Sequence, residues 1–139
     1  QPDASADDTL YALWEQGEAL LGKAIAREAV PFLAHLLDLP LRGEWEHWVS
    51  DLSPKVRQKQ TFWAVREFFA ALARQQPVVI ALDDLHWADD ESLDFLDSLL
   101  QVNGDTALLV LAVSPAALEL VILRALLERM GLILVWACC

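Results

Sequence analysis

Three short apolar runs, separated by helical patterns, constrain the fold of this 139-residue chain more than any other feature. They are Val78–Leu82, Ala107–Val113 and Leu132–Trp136. Continuous apolar runs of this length are typical of strands buried on both faces of a parallel sheet. Apolar residues at helical spacing around Leu93–Leu100 predict a helix between the first two runs, and Pro115–Met130 predicts another before the third. This order predicts an α/β protein with a parallel sheet and right-handed crossovers.

The first half of the chain has helical patterns instead. Residues 1–9 are predicted to be a polar, acidic lead-in, and residues 10–75 to be helical. The first helix is expected to continue to about Ala29, where Pro31 ends or restarts it. The pattern of residues 54–75 predicts a strong helix with one apolar face. Between them, Trp45 and Trp48 are expected to anchor a loop or a short helix against the core.

Length and charge limit the classes of function. A chain of 139 residues is long enough for one core, so it is predicted to be a single partial domain in which residues 77–139 carry the sheet. The net charge of -11 and the lack of a basic stripe argue against direct binding to nucleic acid. No apolar run has the roughly 18 residues that a membrane span needs, so no membrane partner is expected.

The cysteines and the N-terminus indicate the cellular location of the protein, and the position of its methionine bears on whether the sequence is a fragment. Cys138 and Cys139 are adjacent, which favours reduced thiols over a disulfide framework, and the N-terminus is polar rather than signal-like. Both features predict a cytoplasmic protein. Met130 is the only methionine, so we expect the chain to be an internal piece of a longer protein.

Two acids, Asp83 and Asp84, follow the first apolar run directly. Parallel α/β sheets bind ligands at the carboxyl ends of their strands, and burying two acids at a strand exit is costly unless a cation is near. An apolar strand that ends in two acids is the pattern of a Walker B element. In that pattern Asp83 would hold Mg²⁺, usually through water, beside the nucleotide phosphates. Asp84 would orient or deprotonate the attacking water.

The acids that follow have a simpler interpretation. Asp89 is a plausible N-cap of the next helix, with Asp90 and Glu91 in its first turn, where negative charge complements the helix dipole. An aspartate-rich motif of the prenyl-transfer type would need its acids on a helix face, and the preceding strand argues against that. A calcium-binding EF-hand loop would need a glycine that this stretch lacks.

The stretch "QPVVIALDDLHWADDESLDFLDSLL" resembles the Walker B region of the signal-transduction ATPases with numerous domains (STAND). The closer likeness is to the branch with origin-recognition-like AAA modules, found in LuxR-type activators and in cyclase- or kinase-linked proteins. The resemblance covers roughly Pro31 to Pro115. It implies part of a P-loop NTPase-type three-layer sandwich that uses ATP and Mg²⁺, with Asp83 as the metal acid and Asp84 as the catalytic acid. His86 and Trp87 match the family's HW pair, and packing is the favoured role for Trp87.

The residue after the second strand departs from that family. The resembling modules commonly have an arginine and a proline there, whereas this chain has Ser114 and Pro115. A serine can hydrogen-bond a phosphate or the attacking water, so Ser114 is a candidate phosphate sensor without charge. Alternatively, Ser114 caps the following helix.

A Walker B element also needs a P-loop, GxxxxGK[ST]. The nearest match is "GEALLGKA", Gly17–Ala24, in which Ala24 replaces the hydroxyl that would ligate Mg²⁺. No strand pattern precedes it, and its central residues are good helix formers, so a plain helix is predicted. The P-loop is expected upstream of Gln1, and the chain alone is expected to bind nucleotide weakly or not at all.

The predicted function is therefore that of an ATP-binding, ATP-hydrolysing switch in a regulatory protein, with ATP and Mg²⁺ setting its conformation. Its expected partners are other domains of the same protein and, in a homo-oligomer, further copies. The alternative is a degenerate module that serves as an interaction scaffold and does not hydrolyse ATP.

Overall fold

The computed structural model describes residues 4–83, 90–100, 107–113 and 133–138. In chain order the helices are α1 (Ala4–Leu21), α2 (Lys23–Leu36), α3 (Glu44–Asp51), α4 (Pro54–Gln75) and α5 (Asp90–Leu100). The strands are β1 (Val78–Asp83), β2 (Leu108–Val113) and β3 (Ile133–Cys138). The chain divides into two compact units, Gln1–Phe68 and Phe69–Cys139. In the described residues no helix is long and apolar enough to cross a membrane.

The second unit contains a three-stranded parallel sheet in the order β2-β1-β3. Val78, at the start of β1, lies opposite Leu108 of β2 and Ile133 of β3, and its backbone N–H donates to the carbonyl of Ala107 at 2.8 Å. The prediction of an α/β fold with a parallel sheet is confirmed. The helix predicted at residues 115–130 lies outside the described residues.

In the first unit, the predicted helix from Leu10 to Ala29 is two helices that meet at Gly22. This glycine has φ 79° and ψ 158°, a backbone conformation that residues with a Cβ rarely adopt. The prediction that Pro31 ends a helix was also wrong, because Pro31 lies inside α2. A proline at this position forgoes one bond to the carbonyl of Arg27, and its ring is buried in the core.

The first helix begins earlier than predicted, at Ala4 instead of Leu10. The structure extends α1 back to Ala4, so most of residues 1–9 are helical. Asp7 lies in the first turn of α1, where its charge complements the helix dipole. Acidity at this end of a helix therefore stabilises the helical conformation.

The short helix α3 is anchored by two aromatic contacts, as the two tryptophans predicted. The ring of Trp48 meets the fully buried ring of Phe32 edge-on, with centroids 5.1 Å apart. Trp45 stacks on Trp14 of α1, with centroids 4.6 Å apart. Val49, also on α3, is 2% exposed, so this helix contributes to the core of the first unit.

Arg57 of α4 holds the end of α3 through three hydrogen bonds. Its Nε donates to the carbonyl of Val49 at 3.0 Å, and its Nη2 donates to the carbonyls of Ser50 and Leu52 at 3.1 and 3.0 Å. The last carbonyls of a helix lack intrahelical partners and carry partial negative charge. The guanidinium group therefore satisfies these carbonyls and joins α3 to α4.

We expect Arg57→Lys to lower the free energy of unfolding by about 1–2 kcal/mol, because a lysine ammonium cannot reach three carbonyls in this fork geometry. Urea denaturation followed by circular dichroism measures the change. Arg74→Lys, at an exposed position on the same helix, is the control and should change stability by less than about 0.5 kcal/mol. Equal stabilities of the Arg57→Lys variant and the wild type would show that these hydrogen bonds contribute nothing net.

Candidate functional site

β1 is the central strand of the sheet and carries the candidate site at its carboxyl end. Its first four residues, Val78–Ala81, are at most 3% exposed. A strand with parallel neighbours on both sides is buried on both faces, which explains why its apolar residues do not alternate with polar ones.

Asp83 is the last residue of β1 and lies opposite Val113 of β2 and Cys138 of β3. Because all three strands are parallel, their carboxyl ends share one edge of the sheet. Ligands of open α/β sheets bind outside this edge. Asp83 therefore lies at the middle of the edge where such a site forms.

Of the predicted site residues, the backbone of Asp83 is described, and its side chain is outside what the structure describes. Asp84, Ser114 and the pair His86 and Trp87 also lie outside the described residues. Covalent connectivity nevertheless attaches Asp84 to the end of β1 and Ser114 to the end of β2. The two predicted residues are thus tethered to the ends of adjacent strands.

Asp90 and Glu91 occupy the first turn of α5 and are exposed. Negative charge there complements the helix dipole. Their interpretation as helix-start acids is confirmed, and Asp89, the predicted N-cap, lies outside the described residues.

The donor chemistry at this edge fits Mg²⁺. In nucleotide sites Mg²⁺ keeps several waters and is held by one or two carboxylates together with substrate phosphates, so it needs no complete protein cage. A carboxylate such as that of Asp83 has the hard oxygen donors that this ion prefers. Among the side chains that the structure describes, no group of three or more His, Cys, Asp or Glu residues could hold a metal ion.

The near-match to a P-loop, Gly17–Ala24, forms the end of α1, the junction at Gly22 and the start of α2. Gly17–Leu21 is the last part of α1, so its backbone N–H groups cannot line a phosphate loop. Gly17 is buried where α1 meets α2, and a Cβ there would lie 2.6 Å from Cγ2 of Val30. Gly22 joins the two helices. Helix packing therefore explains Gly17, and the positive φ at the junction of the two helices explains Gly22.

A second concave region lies in the first unit, and the sequence patterns did not indicate it. Two neighbouring cavities of about 470 and 300 Å³ share Trp14 and Trp45 in their walls. The available signal was the pair Lys23 and Arg27, two cations one helical turn apart in a chain with 10 basic residues. The stack of Trp14 on Trp45 depends on the tertiary approach of α3 to α1, which no local pattern shows.

The chain is a parallel α/β protein whose central strand ends in an acid, at the edge where open α/β sheets generally bind ligands. The chain belongs to the AAA ATPase domain family, whose model matches residues 4–111. It is thus an AAA-type P-loop ATPase module. The match runs from α1 into β2, includes Asp83 and Asp84, and ends before Ser114. No curated protein and no solved structure matches the chain.

Proposed function

We propose that this chain contributes the Walker B acids to an ATP-binding and ATP-hydrolysing switch module of a regulatory protein. The position of Asp83 carries the proposal: it ends the central strand of a parallel sheet, within the residues that match the AAA ATPase domain. The sequence "DDLHWAD" favours the STAND branch and a role in signal transduction or transcription. The proposed complete fold is the three-layer sandwich of P-loop NTPases.

In this proposal the two acids have different tasks. Asp83 holds Mg²⁺ through water, and the bound ion neutralises charge on the nucleotide phosphates. Asp84 accepts a hydrogen bond from the attacking water and so orients it or takes its proton. The task of Asp84 requires the carboxylate to be ionised and close to the γ-phosphate.

Ser114 is proposed as a neutral phosphate sensor. It follows Val113, which lies opposite Asp83 on the adjacent strand β2. A serine hydroxyl can donate one hydrogen bond to a phosphate oxygen. Because it carries no charge, it stabilises a developing negative charge less than an arginine would.

The proposed site also needs a glycine-rich loop that binds the phosphates, and α1 and α2 do not provide one. We propose that a separate segment of the same protein supplies this loop, so that nucleotide binds between that segment and the carboxyl edge of β1. Other domains of the protein, and further copies of it, are the proposed partners that read the switch.

The uncharged Ser114 also favours a second candidate function. A module that has kept its acids and lost a cationic sensor can act as a non-hydrolysing interaction scaffold. The two candidates differ in one measurable property, because the switch hydrolyses ATP in a Mg²⁺-dependent manner and the scaffold does not.

To test the metal role, we expect Asp83→Asn in the complete protein to raise the Mg²⁺ concentration for half-maximal ATP hydrolysis at least about tenfold, since a ligand that holds the ion is lost. Asp94→Asn, at an exposed position on α5, makes the same change of charge and should leave this concentration unaltered. An unchanged Mg²⁺ dependence in Asp83→Asn would contradict the assignment.

The same proposal predicts that the 139-residue chain by itself binds Mg-ATP more weakly than about 1 mM, because its sequence has no GxxxxGK[ST] motif. Isothermal titration calorimetry measures this affinity directly. Micromolar affinity of the chain alone would show that the phosphates are bound here without a separate loop.

A further inference from the structure

The two cavities of the first unit share Trp14 and Trp45 and are lined by α1, α2 and residues 41–45; together they are called the groove between α1 and α2. The lining residues of α1 are Asp7, Leu10, Tyr11, Trp14 and Glu18. Those of α2 are Lys23, Arg27, Val30 and Pro31. The spacing of three or four residues places each set on one face of its helix. The stacked rings of Trp14 and Trp45 contribute to both cavities, so they form the boundary between a charged part and an apolar part.

The larger cavity, of about 470 Å³, gathers three cations in a chain whose net charge is -11. Arg42 is engaged, because its Nη2 donates to both carboxylate oxygens of Asp7 at 3.0 and 3.1 Å. Lys23 and Arg27 are different. Across the described part of the chain, neither side chain forms a hydrogen bond or an ion pair, and both are exposed.

Lys23 lies at an unfavourable end of its helix, one turn before Arg27. Lys23 is the first residue of α2, the N-cap Gly22 provides no side-chain hydrogen bond, and no acid lies in the first turn. Cations are disfavoured near a helix N-terminus, and two like charges one turn apart repel each other. Helix stability therefore does not explain these residues, whereas an anion between them would relieve both conflicts.

The two carboxylates of the larger cavity keep their negative charge, but both have other interactions. Glu18 accepts a hydrogen bond from Nε1 of Trp14 at 3.1 Å. Glu44 lies in the first turn of α3, where negative charge complements the dipole of that helix. Neither carboxylate forms an ion pair with Lys23 or Arg27 among the described residues, so both cations are left without an anionic partner there.

The smaller cavity, of about 300 Å³, is mainly apolar and adjoins the charged one at Trp14 and Trp45. Its apolar lining includes Leu10, Val30 and Leu41. The phenol of Tyr11 donates to Oε1 of Glu15 at 3.0 Å, and this hydrogen bond, together with the charge of Glu15, raises the pKa of Tyr11. The mainly apolar lining of this cavity can take an uncharged hydrocarbon body.

We propose that the groove between α1 and α2 binds a small organic acid with an apolar body. Its carboxylate lies between Lys23 and Arg27, and its hydrocarbon part passes the Trp14–Trp45 stack into the apolar cavity. The size of the two cavities is that of small-molecule sites, and the combination of apolar walls with a few converging polar groups is typical of them. This site does not depend on ATP, so it stands or falls separately from the proposed nucleotide chemistry.

The test uses octanoate as the probe, with three ligands that each lack one feature. Titration calorimetry on the 139-residue chain should show saturable binding of octanoate, and affinity should fall about threefold to fourfold for each methylene removed toward butyrate. Neutral octanol and inorganic phosphate should each bind at least about tenfold more weakly than octanoate. Equal binding of octanol would overturn the anionic part of the site, and equal binding of phosphate would overturn the apolar part.

The matched variants separate this site from general surface charge. Lys23→Gln/Arg27→Gln should weaken octanoate binding about tenfold, since two charge-assisted contacts are lost. Lys55→Gln/Lys59→Gln removes two exposed cations with the same spacing on α4 and should change the affinity by less than twofold. Equal weakening in both pairs would overturn the proposal. Circular dichroism checks folding, and the first pair should melt at the same temperature as the wild type or higher, because a repulsion is removed.

Discussion

We expect Asp84→Asn in the complete protein to hydrolyse ATP about 100-fold or more slowly than the wild type, while its affinity for Mg-ATP stays within about threefold. The reason is that an asparagine amide cannot accept the proton of the attacking water, whereas the proposed metal ligand, Asp83, is unchanged. Steady-state phosphate release and an equilibrium nucleotide titration measure the two quantities separately.

Asp90→Asn is the matched control for this experiment. It makes the same chemical change at an exposed position in the first turn of α5, so it should alter only the local helix stability by a few tenths of a kcal/mol. If Asp84→Asn retained wild-type hydrolysis, the assignment of the catalytic acid would be wrong. If the wild-type protein showed no Mg²⁺-dependent hydrolysis at all, the scaffold would replace the switch.

The second large effect is expected from Gly17→Leu, which should lower the free energy of unfolding by about 2–3 kcal/mol. Even a Cβ at this position would lie 2.6 Å from Cγ2 of Val30, and Val30 is 1% exposed, so the methyl group has little room to move. Leucine is a better helix former than glycine, which offsets only part of the cost. Urea denaturation measures the difference.

The control for this substitution is Ala19→Leu, on an exposed part of the same helix. It introduces the same side chain with no neighbour to displace, so its effect should stay below about 0.5 kcal/mol. A Gly17→Leu variant as stable as this control would mean that α1 and α2 do not approach each other as closely as the structure shows.

The sheet could be predicted from the sequence because its strands are specified locally. Val78–Leu82 and Ala107–Val113 are uninterrupted apolar runs with turn residues around them, and both are strands in the structure. Their parallel pairing followed from the helical pattern between them. The central position of β1 could not be predicted, because strand order depends on the tertiary path of the chain.

The helical unit was harder to predict where two local signals conflicted. Apolar residues at helical spacing continue past Gly22, so periodicity predicted one helix, whereas the backbone conformation of Gly22 ends α1 at Leu21. Pro31 was interpreted as a helix boundary, yet its burial offsets the hydrogen bond that it forgoes. In both cases tertiary packing outweighed the local pattern.

The two candidate sites differ in the same way. The position of Asp83 at the carboxyl end of β1 was predictable because it directly follows an apolar run, and the register of β1 agrees with it. Its role as a metal ligand stays a prediction. The groove between α1 and α2 was not predictable, because Trp14 and Trp45 are far apart in sequence and meet only when α3 packs against the first two helices.

The strand order β2-β1-β3 also has a consequence for the order in which the chain folds. The contact of α1 with α2 joins neighbours in sequence, so only a short loop has to close. β1 pairs with β2, which follows it in the chain after one crossover, and with β3, which follows it after two crossovers. During synthesis, α1 and α2 can therefore pack together before β2 and β3 have been made. Until then, the apolar segment that ends in Asp83 has no strands to pair with.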